Sequence, residues 1–129
     1  MKIIGVEHIS INTNDIQRSL DFYQGILGFH PLEAVDCGDF VIHYLAIPDG
    51  RRLELFDYHG KAPQVIHGES ETGLRHLAFE VVDVAAQEKE LRAAGVEITL
   101  ATCDLPNLGV RVLLFLDPNG VTLEFCEKL

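Results

Sequence analysis

The chain has 129 residues, 47% of them apolar, and 20 acidic against 10 basic side chains give it a net charge of −10. Such a length and apolar share predict one folded domain with a sizeable core and argue against disorder. The acidic balance disfavours nucleic acid and anionic membrane surfaces, which reward Lys and Arg, and no apolar run reaches the length of a membrane span.

The N-terminus lacks a signal-peptide pattern, so the expected location is cytoplasmic. Cys37, Cys103 and Cys126 are odd in number and form no CxxC pair. They are expected to be buried reduced thiols, with neither a disulfide framework nor a thiolate zinc site.

From Val6 to Thr13 the residues alternate, with Ile9 and Ile11 on one face and His8, Ser10 and Asn12 on the other. This period of two predicts a strand. Asn14 or Asp15 caps a helix carrying Ile16, Leu20, Phe22, Tyr23 and Leu27, which Gly28 stops. Strands follow at 29–35 and 39–47, around the turn Asp36-Cys37-Gly38-Asp39, and at 52–57 after the turn Pro48-Asp49-Gly50. Residues 59–73 hold scattered Gly and Pro and read as a linker.

The order then restarts. A strand is predicted over 74–82, a helix from the Asp83 cap to about 94, and strands near 96–101, 109–116 and 121–127. The fold class is therefore α+β: two tandem βαβββ modules, about 1–58 and 74–129, within a single domain, 1–129. Their curved mixed sheets are expected to surround a metal-binding cup.

One phrase occurs in both halves. Pro48, Gly50, Leu53 and Glu54 recur as Pro118, Gly120, Leu123 and Glu124, and the strand histidine His8 recurs as His76. Strand parity turns both Glu side chains, and His76, away from their apolar neighbours. If the two sheets face each other across a pseudo-two-fold axis, the four polar heads converge. Two imidazoles and two carboxylates suit a divalent cation: Zn, Ni, Co, Fe or Mn. Buried carboxylates also need a charge partner.

The layout resembles the vicinal oxygen chelate superfamily. The resemblance rests on the first-strand His8, on Arg18-Ser19-Leu20-Asp21-Phe22-Tyr23, on Ile26-Leu27-Gly28-Phe29, and on Asp117-Pro118-Asn119-Gly120 before the last Glu. With His8, Glu54, His76 and Glu124 all present, it is most similar to the glyoxalase I (lactoylglutathione lyase) branch. That resemblance implies a Ni, Zn or Co site, with Fe or Mn as further options, and proton transfer next to a carbonyl polarised by the ion. Glu124 is the first choice of base and Glu54 its symmetric counterpart. The chain departs from the branch at Asn12, where an Arg usually helps hold the glutathione carboxylate, and at Tyr58, where Asn is frequent.

Asn12 and Arg52 are candidate substrate contacts, and Lys61, His67 and the stretch 102–108 are candidate pocket walls. His30, His43 and His59 read as structural or solvent-facing, and Cys126 and Glu80 as neighbours of the ligands. The alternatives are a metal-dependent epimerase or racemase of a small α-carbonyl compound and a non-enzymatic small-molecule binder. The expected partners are a small-molecule substrate and a second copy of the chain in a homodimer, with neither nucleic acid nor membrane.

Overall fold

The structure, a computed structural model, describes residues 1–65 and 68–129. The chain divides into two compact units, Met1–Gln64 and Val65–Leu129, and the division falls inside the sequence read as linker. The first unit contains β1 (His8–Thr13), α1 (Ile16–Leu20), a π-helical turn (Asp21–Ile26), β2 (His30–Asp36), β3 (Val41–Ala46) and β4 (Arg52–Asp57). The second contains β5 (Leu77–Glu80), α2 (Val84–Ala93), β6 (Ile98–Leu105), β7 (Val110–Leu116) and β8 (Thr122–Lys128). The sheets have matching orders, β1-β4-β3-β2 and β5-β8-β7-β6. In each, the first and last strands run parallel and the other pairs are antiparallel. The α+β class and the two tandem βαβββ modules are as the periodicity predicts.

In the first unit Leu53 and Leu55 are fully buried, and α1 packs toward β4. Tyr23 is fully buried between Phe22 and Phe29, with ring centroids 5.0 and 5.9 Å away. In the second, α2 lies against β6, β7 and β8. There Val84, Leu113, Phe115 and Leu123 are fully buried. The turns before β4 and β8 place Gly50 and Gly120 at φ 88° and 83°, a left-handed conformation that favours glycine. Asp15 is the cap of α1, its Oδ1 accepting from Arg18 N at 3.0 Å. Asn14 instead exchanges hydrogen bonds with the Ala62 backbone at 2.7 and 2.9 Å. Asp83 caps α2 through Ala86 N. Among the described residues, no helix is long and apolar enough to cross a membrane.

Several expectations need correction. The first helix is not α-helical to Leu27. It widens after Leu20, and Leu27 N bonds Phe22 O, five residues back. The wider turn lets two consecutive aromatics, Phe22 and Tyr23, both enter the core. Strand β6 runs to Leu105 rather than 101, because the ladder continues through Cys103 opposite Val112 and Asp104 opposite Arg111. Arg111 grips Asp104 through two hydrogen bonds, at 2.6 and 3.1 Å. Strands β1 and β5 are shorter than predicted, so His8 opens β1 and His76 stands one residue before β5. The three thiols are free, but none is fully buried, and Cys37 is exposed in the β2–β3 turn.

Candidate functional site

Each unit brings one histidine and one glutamate together. In the first, β1 lies parallel to β4, with His8 opposite Arg52 and Ser10 opposite Glu54. His8 Nε2 is 3.5 Å from Glu54 Oε2. Glu54 is only 7% exposed, and Ser10 Oγ donates to its Oε2 at 2.9 Å. In the second unit, His76 Nε2 is 3.0 Å from Glu124 Oε2. Here Ala78 is the strand partner of Glu124, the place that Ser10 takes opposite Glu54. The two pairs are thus equivalent in topology but differ in what stands beside the carboxylate: the Ser10 hydroxyl at Glu54, and Ala78 with the Cys126 thiol at Glu124.

The donor sets fit a divalent cation of the borderline class. Two donors bound to one such ion at about 2.0–2.2 Å stand about 3–3.5 Å apart, and both pairs do. On the other side of the ring, His76 Nδ1 and Glu69 Oε1, 4.0 Å apart, are buried without a hydrogen-bond partner among the described residues. Within either unit, among the described residues, no group of three or more His, Cys, Asp or Glu side chains that could hold an ion is assembled. Each unit therefore offers one imidazole and one carboxylate at this spacing.

The other candidate residues fall as follows. Asn12 lies opposite Phe56 in the β1–β4 register and is exposed. Arg52 stands over the Tyr44 ring at 4.6 Å, with its guanidinium 3.5 Å from Glu33 and 3.9 Å from Glu7. The Tyr58 ring lies tilted against Phe40, with centroids 5.5 Å apart, and Phe40 also meets Phe56. His43 lies opposite Leu55, on the face away from Glu54. His30 and His59 are exposed, and His59 pairs with Asp57. Lys61 is exposed, and His67 lies outside the described residues. Of the stretch 102–108, residues 102–105 belong to β6. Glu80 pairs with Lys128 rather than with His76. Burial, and then the Glu124 and Glu80 charges, push the Cys126 thiol above its ordinary pKa, so it stays protonated near neutrality. A cavity of about 350 Å³ in the second unit is bounded by Leu74, Arg75, His76, Asn119 and Thr122, among others.

Two residues were not singled out from the sequence. Glu7 hydrogen-bonds His8 Nδ1, and this contact holds its carboxyl below the usual carboxylate range. Glu69 approaches His76 from the preceding loop. Adjacency to a candidate ligand was a signal for Glu7. No periodicity marks Glu69.

Two mixed sheets of matching strand order, each presenting an imidazole–carboxylate pair from equivalent positions, define a duplicated βαβββ protein with paired ligand-type side chains. The chain belongs to the Glyoxalase/Bleomycin resistance protein/Dioxygenase superfamily, whose sequence pattern matches residues 5–125. It is similar to the lactoylglutathione lyase of Haemophilus influenzae, at 29% identity over 127 residues, covering 94% of this chain and 90% of that one. It is also similar to the mitochondrial methylmalonyl-CoA epimerase of Dictyostelium discoideum, at 27% identity over 133 residues, covering 95% and 78%. Among solved structures, SMU.1112c has a TM-score of 0.85 at 30% identity, covering 98% of this chain and 100% of that one.

Proposed function

We propose that the protein is a metal-dependent isomerase or lyase of the glyoxalase I type, converting a hemithioacetal to a hydroxyacyl thioester. The observation that carries this reading is the recurrence of one His–Glu pair at ion-sharing distance in both units. His8, Glu54, His76 and Glu124 would together hold one cation of the Ni, Zn or Co class, with Fe or Mn as further fits. The cation supplies an electrophile that polarises a carbonyl and lowers the cost of removing the neighbouring proton.

Glu124 is the base. Its carboxylate takes the proton from the carbon that carries sulfur and returns it to the adjacent carbonyl carbon. The hydroxyl hydrogen passes to the other oxygen, so the reaction is an isomerisation and needs no redox partner. Glu54 is the symmetric alternative, but the Ser10 hydroxyl ties it down. Ala78 brings no hydroxyl to Glu124. Asn12 and Arg52, on the same face of the first sheet as Glu54, are the proposed substrate contacts.

A second reading is a metal-dependent epimerase of a small α-carbonyl compound. Asn12 favours it, because an amide cannot clamp a carboxylate as a guanidinium does, and so does the similarity to an epimerase. We also infer a homodimer. The edge strand β2 is exposed along its whole length, Leu32 and Val35 included, and an unpaired edge of this kind favours association.

Elemental analysis of protein purified without added metal, together with turnover of Glu124→Gln on methylglyoxal hemithioacetals of several thiols, tests the proposal. The expected result is about one bound cation per four-ligand set and a loss of about 10²–10⁴-fold in the folded variant. Parental turnover in Glu124→Gln removes the base assignment. Deuterium exchange into a small α-carbonyl substrate, without hemithioacetal activity, selects the epimerase. Tight ligand binding in chelator by a metal-free protein overturns both enzyme readings.

A further inference from the structure

Each histidine of the candidate centre stands between two carboxylates, not one. In the first unit His8 turns Nε2 toward Glu54 at 3.5 Å and Nδ1 toward Glu7, to which it is hydrogen-bonded. Behind Glu7 stands Arg52, whose Nη2 is 3.9 Å from Glu7 Oε1. In the second unit His76 turns Nε2 toward Glu124 at 3.0 Å and Nδ1 toward Glu69 at 4.0 Å. Behind Glu69 stands Arg75, with Nη2 3.6 Å from Glu69 Oε2 and Nη1 donating to the Glu69 carbonyl.

The same series, Arg–Glu–His–Glu, is thus built twice, but not from equivalent residues. Glu7 directly precedes His8, whereas the residue preceding His76 is the cation Arg75. The carboxylate that residue 75 does not provide comes from the loop, at Glu69. Two different routes to one arrangement are not a by-product of the repeat.

The unpaired atoms show what the outer carboxylate lacks. Among the described residues, His76 Nδ1 and Glu69 Oε1 are both buried without a hydrogen-bond partner, 4.0 Å apart. Buried orphan groups of this kind are costly and uncommon. A movement of about 1 Å would bring the two within hydrogen-bond range and satisfy both. A neutral imidazole carries its proton on one nitrogen only. Without an ion the 3.0 Å contact to Glu124 calls for that proton on Nε2; an ion at Nε2 would move it to Nδ1, where an outer carboxylate accepts it.

We propose that Glu7 and Glu69 are positioning residues that accept the Nδ1–H of His8 and His76 and so aim each Nε2 lone pair at a bound cation. The inference rests on the metal reading above.

The test uses the full chain, Co²⁺ as probe, and Glu7→Ala, Glu69→Ala, Glu7→Gln and Glu69→Gln, with the surface variant Glu90→Ala as control. Co²⁺ affinity is measured by competition with a chelator. The Nδ1–H of each histidine in the Zn²⁺-loaded protein is followed by proton–nitrogen spectra. The Ala variants are expected to raise the Kd for Co²⁺ about 10–100-fold and to speed solvent exchange of the affected Nδ1–H. The Gln variants, which keep an acceptor, are expected to recover much of both, and Glu90→Ala to change neither. A Zn²⁺-loaded parent whose His76 Nδ1–H exchanges as fast as that of Glu69→Ala, or Ala variants that bind Co²⁺ as tightly as a tight-binding parent, overturns this inference alone. A parent that binds no cation overturns the metal reading and this inference with it.

Discussion

Removing the Ser10 hydroxyl tests whether Glu54 is held as a fixed group. Ser10 Oγ donates to Glu54 Oε2 at 2.9 Å across the parallel β1–β4 pair, and Glu54 is 7% exposed. A hydrogen bond to a charged group contributes about 1.5–3 kcal/mol. Ser10 itself is exposed, so water replaces part of the loss in Ser10→Ala, and the expected net cost is about 1–2 kcal/mol. Backbone strain adds nothing, since Ala78 already occupies the matching place beside Glu124. Unfolding entropy of about 2.1 cal/mol/K per residue gives about 0.27 kcal/mol/K for a chain of this length. If the chain melts in one cooperative step, Ser10→Ala therefore lowers Tm by about 4–7 °C. Calorimetric melting of Ser10→Ala, Glu54→Gln and the double variant closes a cycle that isolates the pair. A shift within about 1 °C of the parent, or a coupling below about 0.3 kcal/mol, refutes the reasoning.

The reciprocal change, Ala78→Ser, puts a hydroxyl opposite the proposed base. It is expected to lower turnover about tenfold, equivalent to about 1.4 kcal/mol, while Co²⁺ affinity holds; unchanged turnover counts against Glu124 as a mobile base. Asp117 is buried and accepts the N–H groups of Asn119 and Val121 at 2.8 Å each. Asp117→Ala should cost about 2–4 kcal/mol by urea unfolding, well above Asp49→Ala in the exposed matching turn. Thr102, whose N–H donates to Glu88 Oε2 at 2.8 Å, and then Arg92 hold Glu88 down to about 2. A depressed carboxyl contributes stability above its ordinary value of 4.5, and that contribution fades as pH falls toward 2. The Tm gap between parent and Glu88→Gln should therefore be full at pH 7 and close between about pH 4.5 and 2; a gap independent of pH would contradict the contact.

The sequence by itself determined the order of elements, the duplication, and the recurrence of one His and one Glu in each half. The reason is that period-two alternation and turn glycines are local properties. Leu53 and Leu55 against Glu54 report which face is buried, and Gly50 and Gly120 report where the chain reverses. Tertiary structure alone decided what touches those residues. That Ser10 rather than Asn12 reaches Glu54 follows from the parallel β1–β4 register, and register is set by packing between strands far apart in sequence. Glu69 lay in a stretch without periodicity, so only the fold of the loop could place it beside His76. The π-helical turn is a similar case. Helical spacing placed Phe22 and Tyr23 on the chain, but the need to bury two adjacent aromatics set the wider winding. Pattern in the chain reports faces, and packing selects partners.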